Sequence, residues 1–132
     1  MSIDLLSNMV SALKNASKVG INHIEMPHSK MCEDVAKVLK QKGFLTGVKA
    51  FKVTGKSHKK LGLDLTYKDG NCLIKNTKRI SKPGRRIYRS ANELCSVKGG
   101  KGVLVVSTSR GVMDGFDARK KKLGGELVCE VY

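Results

Sequence analysis

Apolar residues in the first fifteen positions recur at helical spacing. Leu6, Met9, Val10 and Leu13 stand at i, i+3, i+4 and i+7, which predicts an amphipathic helix with one stripe turned to a core. A short strand is predicted around Ile21 to Met26, closed by Pro27. Ser29 has the chemistry of an N-cap for a second helix, which places Met31, Val35, Val38 and Leu39 on one face and ends at Gly43. A strand near Phe44 to Val53 follows, then the polar loop TGKSHKK. In LGLDLTY the residues Leu61, Leu63, Leu65 and Tyr67 alternate, as in a half-exposed strand, and KDGN marks a turn. The first half reads α-β-α-β-β.

The second half has another rhythm. Pro83-Gly84 in SKPGRR suits a type II turn, and Ile87 and Tyr88 begin a strand with Ile87 inward and Tyr88 outward. Ser90 and Glu93 fit a capping box. After VKGGKG comes VLVVST, apolar enough to be covered on both faces. Asp114 or Asp117 is expected to cap a short basic helix through Ala118 to Leu123, ended by Gly124-Gly125. In the final ELVCEVY, Leu127, Cys129 and Val131 should alternate against Glu126, Val128, Glu130 and Tyr132. These patterns predict a mixed α/β fold of the α+β kind in two small lobes. Residues 1–70 are expected to form an N-terminal α/β lobe, and residues 71–132 a C-terminal lobe that is mostly β with short helices.

Charge sharpens the division. The 132 residues carry 26 Lys plus Arg against 11 Asp plus Glu, a formal net charge of +15. Residues 1–66 hold 11 lysines, no arginine and 5 acids; residues 67–132 hold 9 lysines, all 6 arginines and 6 acids. Such an excess repels itself unless a polyanion neutralises it, and nucleic acid gains affinity by releasing counterions. No stretch approaches the roughly 20 apolar residues of a membrane span, and none reads as a basic interfacial helix with aromatic anchors. The opening MSIDLLSNMV lacks the apolar region of a secretory signal. Cys32, Cys72, Cys95 and Cys129 are scattered, with no CxxC and no histidine at zinc spacing, so they read as small buried hydrophobes in a reducing, intracellular compartment.

Catalytic arrangements do not emerge. A serine nucleophile needs an adjacent base, and His23, His28 and His58 all precede the second lobe. GxSxG is lacking. The glycines of KGGKG come before a strand, whereas a Walker loop needs them between strand and helix. The pattern predicts neither enzyme, metal site nor cofactor. Binding elements stand out instead. In VVSTSRGV an apolar strand runs into Ser107, Thr108 and Ser109, followed by Arg110 and Gly111. Short hydroxyls can donate and accept toward 2′-hydroxyls, phosphates and base edges, and an arginine fork suits phosphate. An ST-turn capping the next helix would use the same hydroxyls locally. In KPGRRIYR, Arg85 and Arg86 can hold phosphates while Tyr88 stacks on an unpaired base. Arg119-Lys120-Lys121-Lys122 reads as an electrostatic collar, and Glu126 as an acid able to orient its neighbours or accept from RNA. A nuclease-like RNA-acting protein and an architectural DNA-binding protein are the alternatives.

SKPGRRIY, then GKGVLVVSTSRGVM with DAR five residues after Val112, then LGGELVCEVY, resemble the small-subunit ribosomal protein S8 family of bacterial type. Weaker likeness runs through Asp4, Lys14-Asn15-Ala16, PHSK at 27–30 and KGFL at 42–45. The resemblance implies a structural constituent of the small ribosomal subunit that binds the central domain of its ribosomal RNA and helps assemble the subunit. It further implies a cytoplasmic, ribosomal location and neighbouring small-subunit proteins as partners. In some bacteria, it implies repression of the protein's own operon messenger RNA. Outside the ribosome a monomer is expected. By matching motif, Ser107, Thr108 and Ser109 would touch an irregular RNA helix, with Tyr88, Gly124, Gly125 and Glu126 around them. Ser29, Lys30 and Lys56 would meet backbone from the first lobe. The pair Gly115-Phe116 departs from the family pattern.

Overall fold

The structure is a computed structural model that describes residues 5–55 and 57–132. The chain divides into two compact units, Met1–Lys75 and Asn76–Tyr132. In the first, helix α1 spans Leu5–Val19 and buries Leu6, Met9, Val10, Leu13 and Ala16. The predicted stripe thus continues one step further. Strand β1 covers His23–Pro27, and helix α2 (Lys30–Gln41) starts at Ser29, whose Oγ accepts from the Cys32 amide at 3.1 Å. Gly43 closes α2 with a φ of 89°, a left-handed conformation that glycine adopts without a Cβ clash.

Strands β2 (Leu45–Lys52) and β3 (Lys59–Leu65) complete a three-stranded antiparallel sheet in the order β1-β3-β2. Leu61, Leu63 and Leu65 point to its buried side. Tyr67 leaves this alternation and begins β4 (Tyr67–Lys68), which pairs with β5 (Asn71–Cys72). Between them Asp69 and Gly70 both take positive φ, as a tight two-residue hairpin requires.

The second unit is built on a five-stranded antiparallel sheet. Its strands are β6 (Thr77–Arg79), β7 (Tyr88–Arg89), β8 (Val103–Thr108), β9 (Gly111–Asp114) and β10 (Gly125–Val131). The order is β6-β10-β8-β9, with β7 also paired to β10. Val103, Leu104, Val105 and Val106 are all buried, so β8 has cover on both faces. On one face Leu104 and Val106 gather Leu94, Val97 and Ala118, with Ile80, Met113, Leu127 and Tyr132 around them. The mixed fold expected from the patterns is present, with every described strand pairing antiparallel.

Three local expectations are corrected. Helix α3 spans Gly115–Lys120, earlier than predicted, because Asp114 is the cap: its Oδ1 accepts from the Asp117 amide at 2.6 Å. Lys121 and Lys122 then turn the chain, Lys122 with a φ of 59°, so Gly124 and Gly125 are not helix terminators. The alternation of β10 breaks at a β-bulge between Leu127 and Cys129. An extra residue there lets Leu127 oppose Val106 while Cys129 and Val131 oppose Val105 and Val103 on the other face. Finally, Cys32, Cys72 and Cys129 are buried but Cys95 is exposed. Burial pushes the Cys129 thiol up to about 12, which keeps it protonated and inert at neutral pH.

Candidate nucleic-acid interface

Strand register decides which side chains meet. Directly opposed residues of an antiparallel pair share a face. Tyr88 pairs with Glu126, Glu126 with Ser107, and Ser107 with Val112. Tyr88, Glu126 and Ser107 therefore form one row across three strands, although they are far apart in the sequence. Tyr88 is 62% exposed. Glu126 is held by Arg86, whose Nη1 donates to Oε1 at 3.0 Å. One carboxylate oxygen is thus neutralised and fixed, leaving acceptor capacity on the rest of the group. The Ser107 hydroxyl has no hydrogen-bond partner among the described residues.

The adjacent row explains the two glycines. Gly125 lies opposite Arg89 on one side and Thr108 on the other. A Cβ at Gly125 would run into the Ser107 carbonyl oxygen and lie 2.9 Å from the carbonyl carbon, and one at Gly124 would lie 2.7 Å from the Arg89 carbonyl oxygen. Both glycines permit close backbone approach, which draws β7 and β8 against β10 and sets the spacing of the row.

The hydroxyl triplet divides. Thr108 ends β8, and its Oγ1 donates to the Gly111 carbonyl at 2.8 Å while accepting from the Arg110 amide at 3.1 Å. For Thr108 the local turn reading holds, with the hydroxyl closing the β8–β9 hairpin rather than capping α3. Gly111 takes a φ of 112° as the chain reverses. Ser109 and Arg110 form the exposed tip of that hairpin, and their side chains have no partner among the described residues. Ser107 sits on the sheet, Ser109 on the turn, and Thr108 rigidifies the connection.

Arg85 and Arg86 are presented by a loop whose base is clamped. Lys82 and Arg85 exchange two backbone hydrogen bonds of 2.9 Å across Pro83-Gly84, and Gly84 has the φ of 84° that a type II turn needs. Below them Ser81, fully buried, accepts from the Ile87 amide at 3.0 Å through Oγ. Ser81 is absent from the sequence-based candidates; a serine directly before the KPG turn is its only signal. Lys78, Lys82 and Arg85 line one cleft with Ile80 and Ile87. The side chains of all three cations lack partners among the described residues.

The first-unit candidates differ. Ser29 is committed to the α2 cap, and Lys30 Nζ donates to Asp34 Oδ1 at 2.9 Å. His28 and Lys37 both hold Glu33, whose carboxyl falls to about 2 chiefly through the Lys37 bond and then through His28. Lys56 lies outside the described residues. Among the described residues no three His, Cys, Asp or Glu side chains gather as a metal site, and no helix is long and apolar enough to cross a membrane.

The family model described as Ribosomal protein S8 matches residues 4–132. The chain is 41% identical over 128 residues to the small ribosomal subunit protein uS8 of Alcanivorax borkumensis, covering 97% of this chain and 96% of that one. It is 42% identical over 129 residues to the uS8 of Prochlorococcus marinus, covering 98% and 97%. With the uS8 of Nitratidesulfovibrio vulgaris identity is 39% over 132 residues, the whole of both chains. With a match that runs from Asp4 to the last residue, the chain belongs to the ribosomal protein S8 family.

Proposed function

We propose that the chain is a structural constituent of the small ribosomal subunit, working in the cytoplasm at the ribosome, and that it binds small-subunit ribosomal RNA directly. Its relatives carry the name of small ribosomal subunit proteins. The reading extends to the central domain of that RNA, to assembly beside neighbouring small-subunit proteins, and to the messenger RNA of its own operon. The C-terminal lobe, residues 71–132, is the reader.

The observation that carries this is the row Tyr88–Glu126–Ser107. It sets a stacking ring, a fixed carboxylate and an unengaged hydroxyl side by side on a rigid sheet. Folded RNA with an irregular, widened minor groove offers matching groups: a splayed base, amino donors and 2′-hydroxyls. Ser109 and Arg110 extend the row at the hairpin tip, and Arg85 adds phosphate attraction. Gly124 and Gly125 act by letting the strands close up, and Thr108 by holding the tip. Ser29, Lys30 and Lys56 add weaker backbone contacts from the first unit.

Filter binding at several salt concentrations tests this division of labour. Replacing Ser107 and Ser109 by alanine should weaken binding to small-subunit RNA by roughly 1–3 kcal/mol with little change in salt slope. Arg85→Gln with Arg110→Gln should flatten the slope instead. Equal loss on random RNA for both pairs would refute the assignment. Chemical footprinting on small-subunit RNA would place the contact.

A further inference from the structure

Helix α3 carries a side chain that neither the fold nor the row uses. Phe116 is 73% exposed, at the second position of a six-residue helix. The inward face of that helix is made by Gly115 and Ala118, both buried, with Gly115 set tightly against Leu104. Arg119 and Lys120 stand three and four residues after Phe116 and are also exposed, so all three share the outward face. Lys121 and Lys122 continue the positive charge, against the single acid Asp117 in the helix. An exposed phenyl ring in contact with water is unfavourable by itself. Here it lies among cations that repel one another.

The position of this face is informative. Ala118 and Leu104 belong to the cluster on the Leu104–Val106 side of the sheet. Ser107 follows Val106 in the same strand and points the opposite way. Phe116 and the Tyr88–Glu126–Ser107 row are therefore on opposite sides of one sheet.

We infer that the outward face of α3 is a second RNA-contact site, in which Phe116 stacks on an unpaired base while Arg119 and Lys120 hold the flanking phosphates. Charge favours this occupant: a ring followed by Arg119, Lys120, Lys121 and Lys122 suits a polyanion with aromatic bases better than an apolar protein groove. Stacking is indifferent to base identity, so the site takes unpaired nucleotides without reading their sequence. The inference rests on the reading of this chain as an RNA binder and adds a second strand of RNA to it, on the far side of the sheet.

The full chain contains no tryptophan, so Phe116→Trp introduces a single fluorescent reporter. The emission of that variant should fall on titration with a single-stranded oligoadenylate octamer and stay level with a blunt RNA duplex of equal phosphate number. Phe116→Leu keeps an apolar side chain without a ring and should weaken octamer binding about five- to tenfold. Arg119→Gln with Lys120→Gln should lower the log–log salt slope by about 1.4, the value for two lost phosphate contacts on single strands. Unchanged emission from the introduced indole at saturating octamer would overturn the inference. So would equal quenching by duplex, or a response to anionic phospholipid vesicles and none to RNA. Ser107→Ala separates the two sites. If it leaves binding to folded small-subunit RNA intact while the indole still answers to the octamer, the sheet reading fails and the helix site stands. The opposite pair of results removes only the helix site.

Discussion

Within Met1–Lys75 the acids of the described helices and sheet, Glu25, Glu33, Asp34 and Asp64, are each held by a histidine or lysine; within Asn76–Tyr132 several arginines hold nothing. His23 bridges Asp64 at 2.6 Å and Glu25 at 3.1 Å. His28 and Lys37 share Glu33, and Lys30 meets Asp34. In the second unit Arg86 pairs with Glu126, but the side chains of Arg85, Arg110 and Arg119 have no partner among the described residues. Every arginine in the chain belongs to this unit. Unpaired guanidinium groups repel one another in the free protein, and a polyanion relieves that repulsion. The proposed function makes the first unit a scaffold and the second the reader.

The largest test of that contrast is Gly125→Ala. The new methyl group meets the backbone of Ser107, which cannot swing aside, so β8 and β10 must separate. Thermal unfolding followed by circular dichroism should show a loss of roughly 3 kcal/mol, and RNA affinity should fall with it. Thr108→Ala comes next. It removes both hydrogen bonds of the hairpin tip and should cost about 1–2 kcal/mol in urea denaturation, while Thr108→Ser restores most of it. If Thr108→Ala instead left stability intact and cost only RNA affinity, the triplet would act as one unit.

Acid acts on the first unit. Glu33 has its carboxyl lowered from 4.5 to about 2 in the folded chain, mainly by Lys37 and then by His28. Its stabilisation is therefore complete above pH 4.5 and lost as pH falls through about 2. Urea denaturation across that window should show a decline that Glu33→Gln abolishes. Second-unit RNA affinity, measured at neutral pH, should be indifferent to the same substitution.

Local chemistry is legible in the sequence because its causes are local. Ser29 and the Ser90–Glu93 box announce their caps, Pro83-Gly84 its turn, and the parity of Ile87 and Tyr88 the outward ring. Register is not legible. Nothing in spacing reveals that Tyr88, Glu126 and Ser107 share a row, since pairing is settled by strands distant in sequence and by glycines that let them approach. The phase of β10 eludes simple alternation because Val128 fits either face, and only the surrounding sheet selects the bulge. Asp114 is visible as a cap, but Gly124 and Gly125 mimic a helix end, since their constraint is steric and arises between strands.

That bulge has a use of its own. The carbonyl of Val128 accepts from the Ile80 amide at 3.1 Å and from Arg79 Nη1 at 2.7 Å, so the irregularity is anchored by β6 and its extension. Upstream of it, Gly125 and Glu126 follow the register of β7 and the end of β8; downstream, Cys129 and Val131 belong to the hydrophobic interior. The strand behaves as two short segments with separate phase, joined at a pinned dislocation. Substitutions that alter the Tyr88–Glu126–Ser107 row at one end need not propagate as mispacking to the other.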